Sequence, residues 1–214
     1  MELEILNKLI VLVAKRGSGK SELLRYIVKL NEHLFDTVFC VCPTNEANGF
    51  YNDFIPKKNI FSKYSEHWIN SLLESMKKLT SGKKDDQCKH VLLILDDACA
   101  QSNFHQSVTM KTLAANGRHY KITVIITTQF VHHIPPVVRQ NCDYVAIGTL
   151  NTQGVKMLTD EYKVGKISNA QFEDMYYENT KDYNFLLIRN TAGMTNLSEV
   201  YGKIKTPKEY LKNK

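Results

Sequence analysis

The sequence predicts an α/β fold, a mostly parallel central sheet with helices on both faces. Three observations predict it. The runs Leu9–Ala14 and Val91–Leu95 are continuously apolar and Ile122–Thr128 is wholly β-branched, as strands covered on both faces require. Amphipathic stretches with helical spacing stand between such runs. The first run also passes straight into Gly17-Ser18-Gly19-Lys20-Ser21, a tight turn from a strand into a helix.

The elements follow in order. The first helix starts at about Ser21 and places Leu23, Leu24, Ile27 and Val28 on one face. A second strand runs from Asp36 to Cys42 and stops at Pro43, and an irregular stretch with Asn45, Asn48, Gly49 and Pro56 follows. The next helix covers Ser65 to about Leu79, with Trp68, Ile69, Leu72, Leu73 and Met76 on its buried face. Ser81–Lys89 is a polar loop before the strand Val91–Leu95. A helix over His105–Ala115 precedes the strand Ile122–Thr128. The strand Tyr144–Gly148, helices near Thr152–Tyr162 and Ser168–Tyr177, and a strand Tyr183–Ile188 complete the pattern. There is no internal repeat and no low-complexity tract.

Composition bounds the reading. The 214 residues suit one domain with a substantial core, 43% hydrophobic and 23% charged. No apolar run approaches the ~20 residues that span a membrane, and the N-terminus lacks a signal-peptide layout. Five cysteines without metal-like spacing are expected as reduced thiols in a cytosolic setting, with Cys40 and Cys42 buried on one face of their strand. The net charge of +6 is compatible with a polyanionic partner without requiring one.

The loop Ala14-Lys15-Arg16-Gly17-Ser18-Gly19-Lys20-Ser21 carries the first chemistry. Gly17 and Gly19 let consecutive N–H groups converge on phosphate oxygens, and the following helix adds its positive dipole end. Lys20 reaches the outer phosphates of a nucleoside triphosphate, and the Ser21 hydroxyl completes the shell of Mg²⁺. Ala14 stands where the pattern G-x-x-x-x-G-K-[ST] has its first glycine, and alanine tolerates positive φ poorly. The second constellation is the strand ending in Asp96-Asp97. Asp96 is placed to hold Mg²⁺ through its waters, and Asp97 to orient or deprotonate an attacking water. The bland alternative for either is a helix cap. Gln129 ends a third apolar strand, where an amide can hold a water against the γ-phosphate. Arg118, in Asn116-Gly117-Arg118-His119, precedes that strand. It is expected at the edge of the sheet away from the nucleotide, where it is either a plain surface or helix-end arginine or a finger for a neighbouring subunit's phosphate, with Arg139 as competitor.

Gly-Ser-Gly-Lys-Ser, Leu-Leu-Ile-Leu-Asp-Asp, Asn-Gly-Arg-His and Ile-Ile-Thr-Thr-Gln, in this order, resemble the FtsK–HerA superfamily of ring-forming DNA-pumping ATPases. Within it the chain looks like the poxvirus-type genome-packaging ATPases of large DNA viruses, over roughly residues 8 to 190. The resemblance implies a P-loop NTPase of the ASCE, RecA-like kind that uses ATP and Mg²⁺ to move double-stranded DNA into a preformed capsid. It gives Lys20, Ser21, Asp96, Asp97 and Gln129 the Walker A, Walker B and sensor roles, and matches Arg118 by local context. It implies a ring-shaped homo-oligomer, a pentamer or hexamer, with capsid or portal-region viral proteins as partners. The implied setting is the host cytoplasm, in a virus factory, and the virion. Ala14, and Asp97 in place of glutamate, depart from the cellular members.

Two other classes compete. A P-loop kinase of a small phosphate acceptor usually needs an arginine-rich lid, and the arginines here are few and scattered. Against a nucleotide-dependent, non-catalytic assembly protein stands Asp97, a weak argument because a helix cap would also account for it. A terminase-like nuclease would need a further carboxylate cluster for two metals, which nothing after residue 150 offers. For duplex phosphates, the available residues are Lys77, Lys78, Lys83, Lys84 and Lys89, and a tail from Lys203 to Lys214 with five lysines against one glutamate. A solvated lysine-rich loop is the plainer reading of both. His132 and His133 lack the further ligands that a metal site needs.

Overall fold

The computed structural model describes residues 3–100, 104, 106–191, 193 and 196–211. Its strands are β1 (Leu9–Val13), β2 (Thr37–Val41), β3 (Ile60–Phe61), β4 (Val91–Asp96), β5 (Ile122–Thr128), β6 (Tyr144–Ile147), β7 (Asn184–Arg189) and β8 (Tyr201–Lys205). They form one sheet in the order β3-β2-β4-β5-β1-β6-β7-β8. From β3 to β6 neighbours pair parallel; β7 is antiparallel to β6, and β8 to β7. β5 therefore stands between the strand that leads into the phosphate loop and the strand that ends in Asp96. The carboxyl ends of β1, β4 and β5 share one edge of the sheet, where open α/β sheets place their ligands.

The helices are α1 (Lys20–Asn31), α2 (Asn45–Asn48), α3 (Glu66–Thr80), α4 (Val108–Asn116), α5 (Pro136–Asn141), α6 (Thr152–Tyr162), α7 (Asn169–Asn179) and α8 (Leu197–Val200). The period-two geometry of β1 splits it between two cores. Leu9, Val11 and Val13 join the core that α3, α4, α6 and α7 cover. Ile10, Leu12 and Ala14 join the one covered by α1 and by Tyr51 and Ile55. α1 buries Leu23, Leu24, Ile27 and Val28, and α3 buries Ile69, Leu73 and Met76, as their spacing predicts. The Ser65 hydroxyl caps α3 by accepting from the Trp68 N–H at 3.3 Å.

Several expectations need correction. The helix expected over His105–Ala115 starts at Val108, because the Ser107 hydroxyl caps it by accepting from the Met110 N–H at 3.0 Å; His105 lies outside the described residues. The last predicted strand starts at Asn184 rather than Tyr183 and runs antiparallel. Two edge strands were not expected. β3 is two residues long, too short for periodicity to register. β8 extends the sheet to Lys205, past residue 190, and places Lys203 and Lys205 in a strand rather than in a free tail. Lys212 and Lys214 of that tail lie outside the described residues.

The difficulty expected at Ala14 does not arise. Ala14 is not among the residues with positive φ; it continues β1, and its N–H donates to Thr128 O at 3.2 Å. Room for its methyl comes from across the sheet at Gly148. A Cβ there would lie 2.9 Å from Ala14 Cβ and 2.8 Å from Phe185 Cε1.

Candidate functional site

The loop after β1 is built as its residues dictate. Gly17 and Gly19 adopt φ of 81° and 86°, open to glycine without strain. Lys15 N–H donates to Thr149 O at 2.9 Å, and the Ser18 hydroxyl closes the turn on Lys15 O at 2.6 Å. Gly19 is the N-cap of α1 and brings no side chain to it, so the first-turn N–H groups face the loop. Lys20 is buried in the first turn of α1, and its ammonium reaches across to β4.

The structure brings five predicted residues to this loop's edge of the sheet: Lys20, Ser21, Asp96, Asp97 and Gln129 all line one cleft of about 410 Å³. Lys15 and Arg16 line it as well, with exposed side chains. Asp97 is the junction. One carboxylate oxygen accepts from Lys20 Nζ at 3.2 Å and the other from Gln129 Nε2 at 3.2 Å. Its backbone is left-handed, φ 50°, and its N–H donates to Thr127 O at 3.1 Å. A strained non-glycine residue held by its neighbours is a mark of a working position.

Asp96 ends β4 nearly buried and is held from both flanking strands. The Thr127 hydroxyl from β5 donates to Oδ1, and the Cys42 thiol just after β2 donates to Oδ2 at 3.3 Å. Burial, then the charge of Asp96, pushes the Cys42 thiol up to about 11, so it remains a donor at neutral pH. Cys42 is the buried thiol expected, and a hydrogen-bond donor to Asp96 besides. Tyr51 is a further neighbour. It is 1% exposed and lines the cleft, and its hydroxyl, close to Asp96, makes no hydrogen bond of ordinary geometry among the described residues. Burial first and Asp96 second raise this phenol well above its ordinary range.

The sequence offered no signal for the segment after β2 that supplies Thr44, Asn48, Phe50 and Tyr51 to the cleft. Its shape comes from amide side chains: Asn45 Oδ1 accepts from Tyr51 N–H and Asn48 Oδ1 from Phe50 N–H, both at 3.0 Å. Arg25 of α1 stacks on Phe50, 4.1 Å from the ring centre, and ties the segment to the phosphate-loop helix.

Two arginines stay apart. Arg118 lies just before β5, exposed, at the opposite end of that seven-residue strand from Gln129, roughly 20 Å away. Arg139 turns into its own chain, with Nη1 donating to Ile134 O at 2.6 Å and Nε pairing with Glu161 at 3.2 Å.

Residues 3–200 match the family described as poxvirus A32 protein. The chain belongs to this family. It is 31% identical over 185 residues to the uncharacterized protein 075L of Invertebrate iridescent virus 6, covering 86% of this chain and 70% of that one. Its fold is that of the genome packaging NTPase B204 of Sulfolobus turreted icosahedral virus 2 in complex with AMPPCP. That structure has a TM-score of 0.64 at 19% identity, over 94% of this chain and 98% of that one. B204, the DNA-packaging ATPase from Sulfolobus turreted icosahedral virus, gives 0.68 at 17% identity, over 95% and 100%. This A32-family chain thus has the P-loop NTPase fold that its motifs imply. No helix among the described residues is long and apolar enough to cross a membrane.

Proposed function

We propose that this chain is an ATP-hydrolysing motor that moves double-stranded viral DNA into a capsid. The observation that carries the reading is the Lys20–Asp97–Gln129 network at the mouth of the phosphate loop, within an A32-family fold. The relatives of known structure include a packaging NTPase in complex with AMPPCP, which supports ATP as the substrate.

The loop from Ala14 to Ser21 cradles the phosphates with its N–H groups. Lys20 has two suitors, the outer phosphates and Asp97. When the phosphates draw the ammonium away, Asp97 loses one partner and its freed oxygen accepts from the attacking water. Gln129 donates to the other oxygen and holds Asp97 in place. Hard oxygen donors suit Mg²⁺, which keeps waters and substrate phosphates among its ligands. Ser21 and Asp96 are such donors, and the buried Tyr51 hydroxyl beside Asp96 adds a polar neighbour for ligand waters. Bound there, Mg²⁺ would neutralise charge on the phosphates.

The fingers of this motor come from its neighbours. Arg118 is exposed and far from its own cleft, so it serves an adjacent subunit in a ring of five or six. Capsid or portal-region proteins hold that ring in the virus factory and on the virion. The test is ATP hydrolysis with and without duplex DNA, with Lys20→Ala as the dead control. Stimulation by duplex supports the motor; equal rates with and without it refute DNA coupling, and wild-type turnover in Lys20→Ala refutes the site.

A further inference from the structure

The cleft has a direction. Lys20 points to Asp97, and Asp96, Asp97 and Gln129 stand over β4 and β5, so the outer phosphates lie on that side of β1. On the other side of β1 stand β6 and β7, which leaves that side for the rest of a nucleotide. Because β7 runs antiparallel to β6, its first residues lie at the same edge of the sheet as the phosphate loop. Tyr183 immediately precedes it.

Three observations single out Tyr183. Its ring packs on the phosphate loop: a Cβ built on Gly19 would lie 3.1 Å from Tyr183 Cδ1. The side chain nevertheless remains 41% exposed, among the large apolar groups at the surface. Its backbone, like that of Asp182, is left-handed, with φ of 58° and 55°. Two residues on, Phe185 is fully buried on the α1 face and packs against Gly148, which anchors the start of β7 beneath Ala14. The contact with Gly19, the N-cap of α1, places the Tyr183 ring at the start of that helix.

We propose that Tyr183 forms the base subsite of the nucleotide cleft, offering its ring to the purine of the bound triphosphate. A π-face stacks on any base without reading its edges, so the subsite adds affinity with modest selectivity among bases. The inference rests on the phosphate-loop reading above and assigns it a second half. Gly19 then has two reasons to be glycine, its φ and the ring that lies over it.

Calorimetric titration with Mg·ATP and with Mg·tripolyphosphate separates the two halves. Tyr183→Asn removes the ring but keeps a residue that tolerates positive φ; Tyr183→Phe keeps the ring. The expected result is a loss of roughly tenfold in ATP affinity for Tyr183→Asn, the size of a lost base–aromatic stack. Tripolyphosphate affinity should stay unchanged, and Tyr183→Phe should behave as wild type on both ligands. Tyr183→Trp supplies an independent signal, quenching of the indole by ATP but not by tripolyphosphate. Equal loss of both ligands in Tyr183→Asn, or loss of neither, overturns the proposal. So does a wild type that binds tripolyphosphate as tightly as ATP, while the phosphate-loop reading survives. A wild type that binds neither ligand refutes both.

Discussion

Asp96 and Asp97 are adjacent in sequence and differ in everything that decides their chemistry. Asp96 is buried at the end of β4 with its oxygens taken by Thr127 and Cys42; Asp97 swings into the left-handed region and meets Lys20 and Gln129. Asparagine also tolerates that backbone, so Asp97→Asn should fold normally and bind Mg·ATP while losing at least ~10² in turnover, the range of a positioned base. Asp96→Asn should instead raise the Mg²⁺ concentration needed for half-maximal activity. Steady-state kinetics against Mg²⁺ checks both, and wild-type rates in both variants would remove the carboxylates from the mechanism. Tyr51 gives a prediction of the opposite kind. A buried hydroxyl without a hydrogen bond of ordinary geometry costs ~1–3 kcal/mol of desolvation, so Tyr51→Phe should melt at the same temperature as wild type or higher when no nucleotide is present. A clear fall in Tm would mean that the hydroxyl is satisfied after all.

At the scale of elements, the phosphate loop depends on how β1, β6 and β7 pack beneath it. Gly148 follows β6 in ordinary backbone and is glycine because Ala14 and Phe185 leave no space for a methyl group. Gly148→Ala should cost about 1–3 kcal/mol by overpacking and lower Tm by several degrees. Adding Ala14→Gly should recover part of the loss, because it clears one of the two clashes and leaves Phe185. Thermal melts of the two single variants and the double variant give the coupling; strict additivity would show that the two positions do not share this space.

At the scale of the whole molecule, the sheet sets the distance between the cleft and Arg118. β5 runs the full depth of the sheet from one to the other, so within one subunit the two cannot meet. Arg139, the competitor, is already committed to Glu161 and Ile134. A lone subunit should therefore hydrolyse ATP slowly, and a neighbour's Arg118 should contribute ~10³-fold or more, as trans arginines do in comparable enzymes. Arg118→Ala and Lys20→Ala subunits should each be inactive alone and regain activity when mixed, at interfaces where intact Lys20 meets intact Arg118. Co-assembly without recovered hydrolysis would rule out Arg118, and repeating the mixture with Arg139→Ala would decide whether another arginine takes the role.

The sequence by itself determined the strands β1, β4, β5 and β6, because continuous apolar runs have no other way to be covered on both sides. It also determined the phosphate loop and the order in which Lys20, Asp96, Asp97 and Gln129 appear, since spacing along a chain is a property of the sequence. The neighbours of those residues were decided only by the tertiary structure. Cys42 and Thr127 reach Asp96 because β2 and β5 flank β4, an order that no local pattern encodes. β3 and β8 exist because a neighbouring strand offers them hydrogen bonds, which propensity does not see. The substitution at Ala14 looked like a defect in the one-dimensional motif. It fits in three dimensions, because the alanine keeps ordinary backbone and Gly148, 134 positions later, makes room for its methyl group.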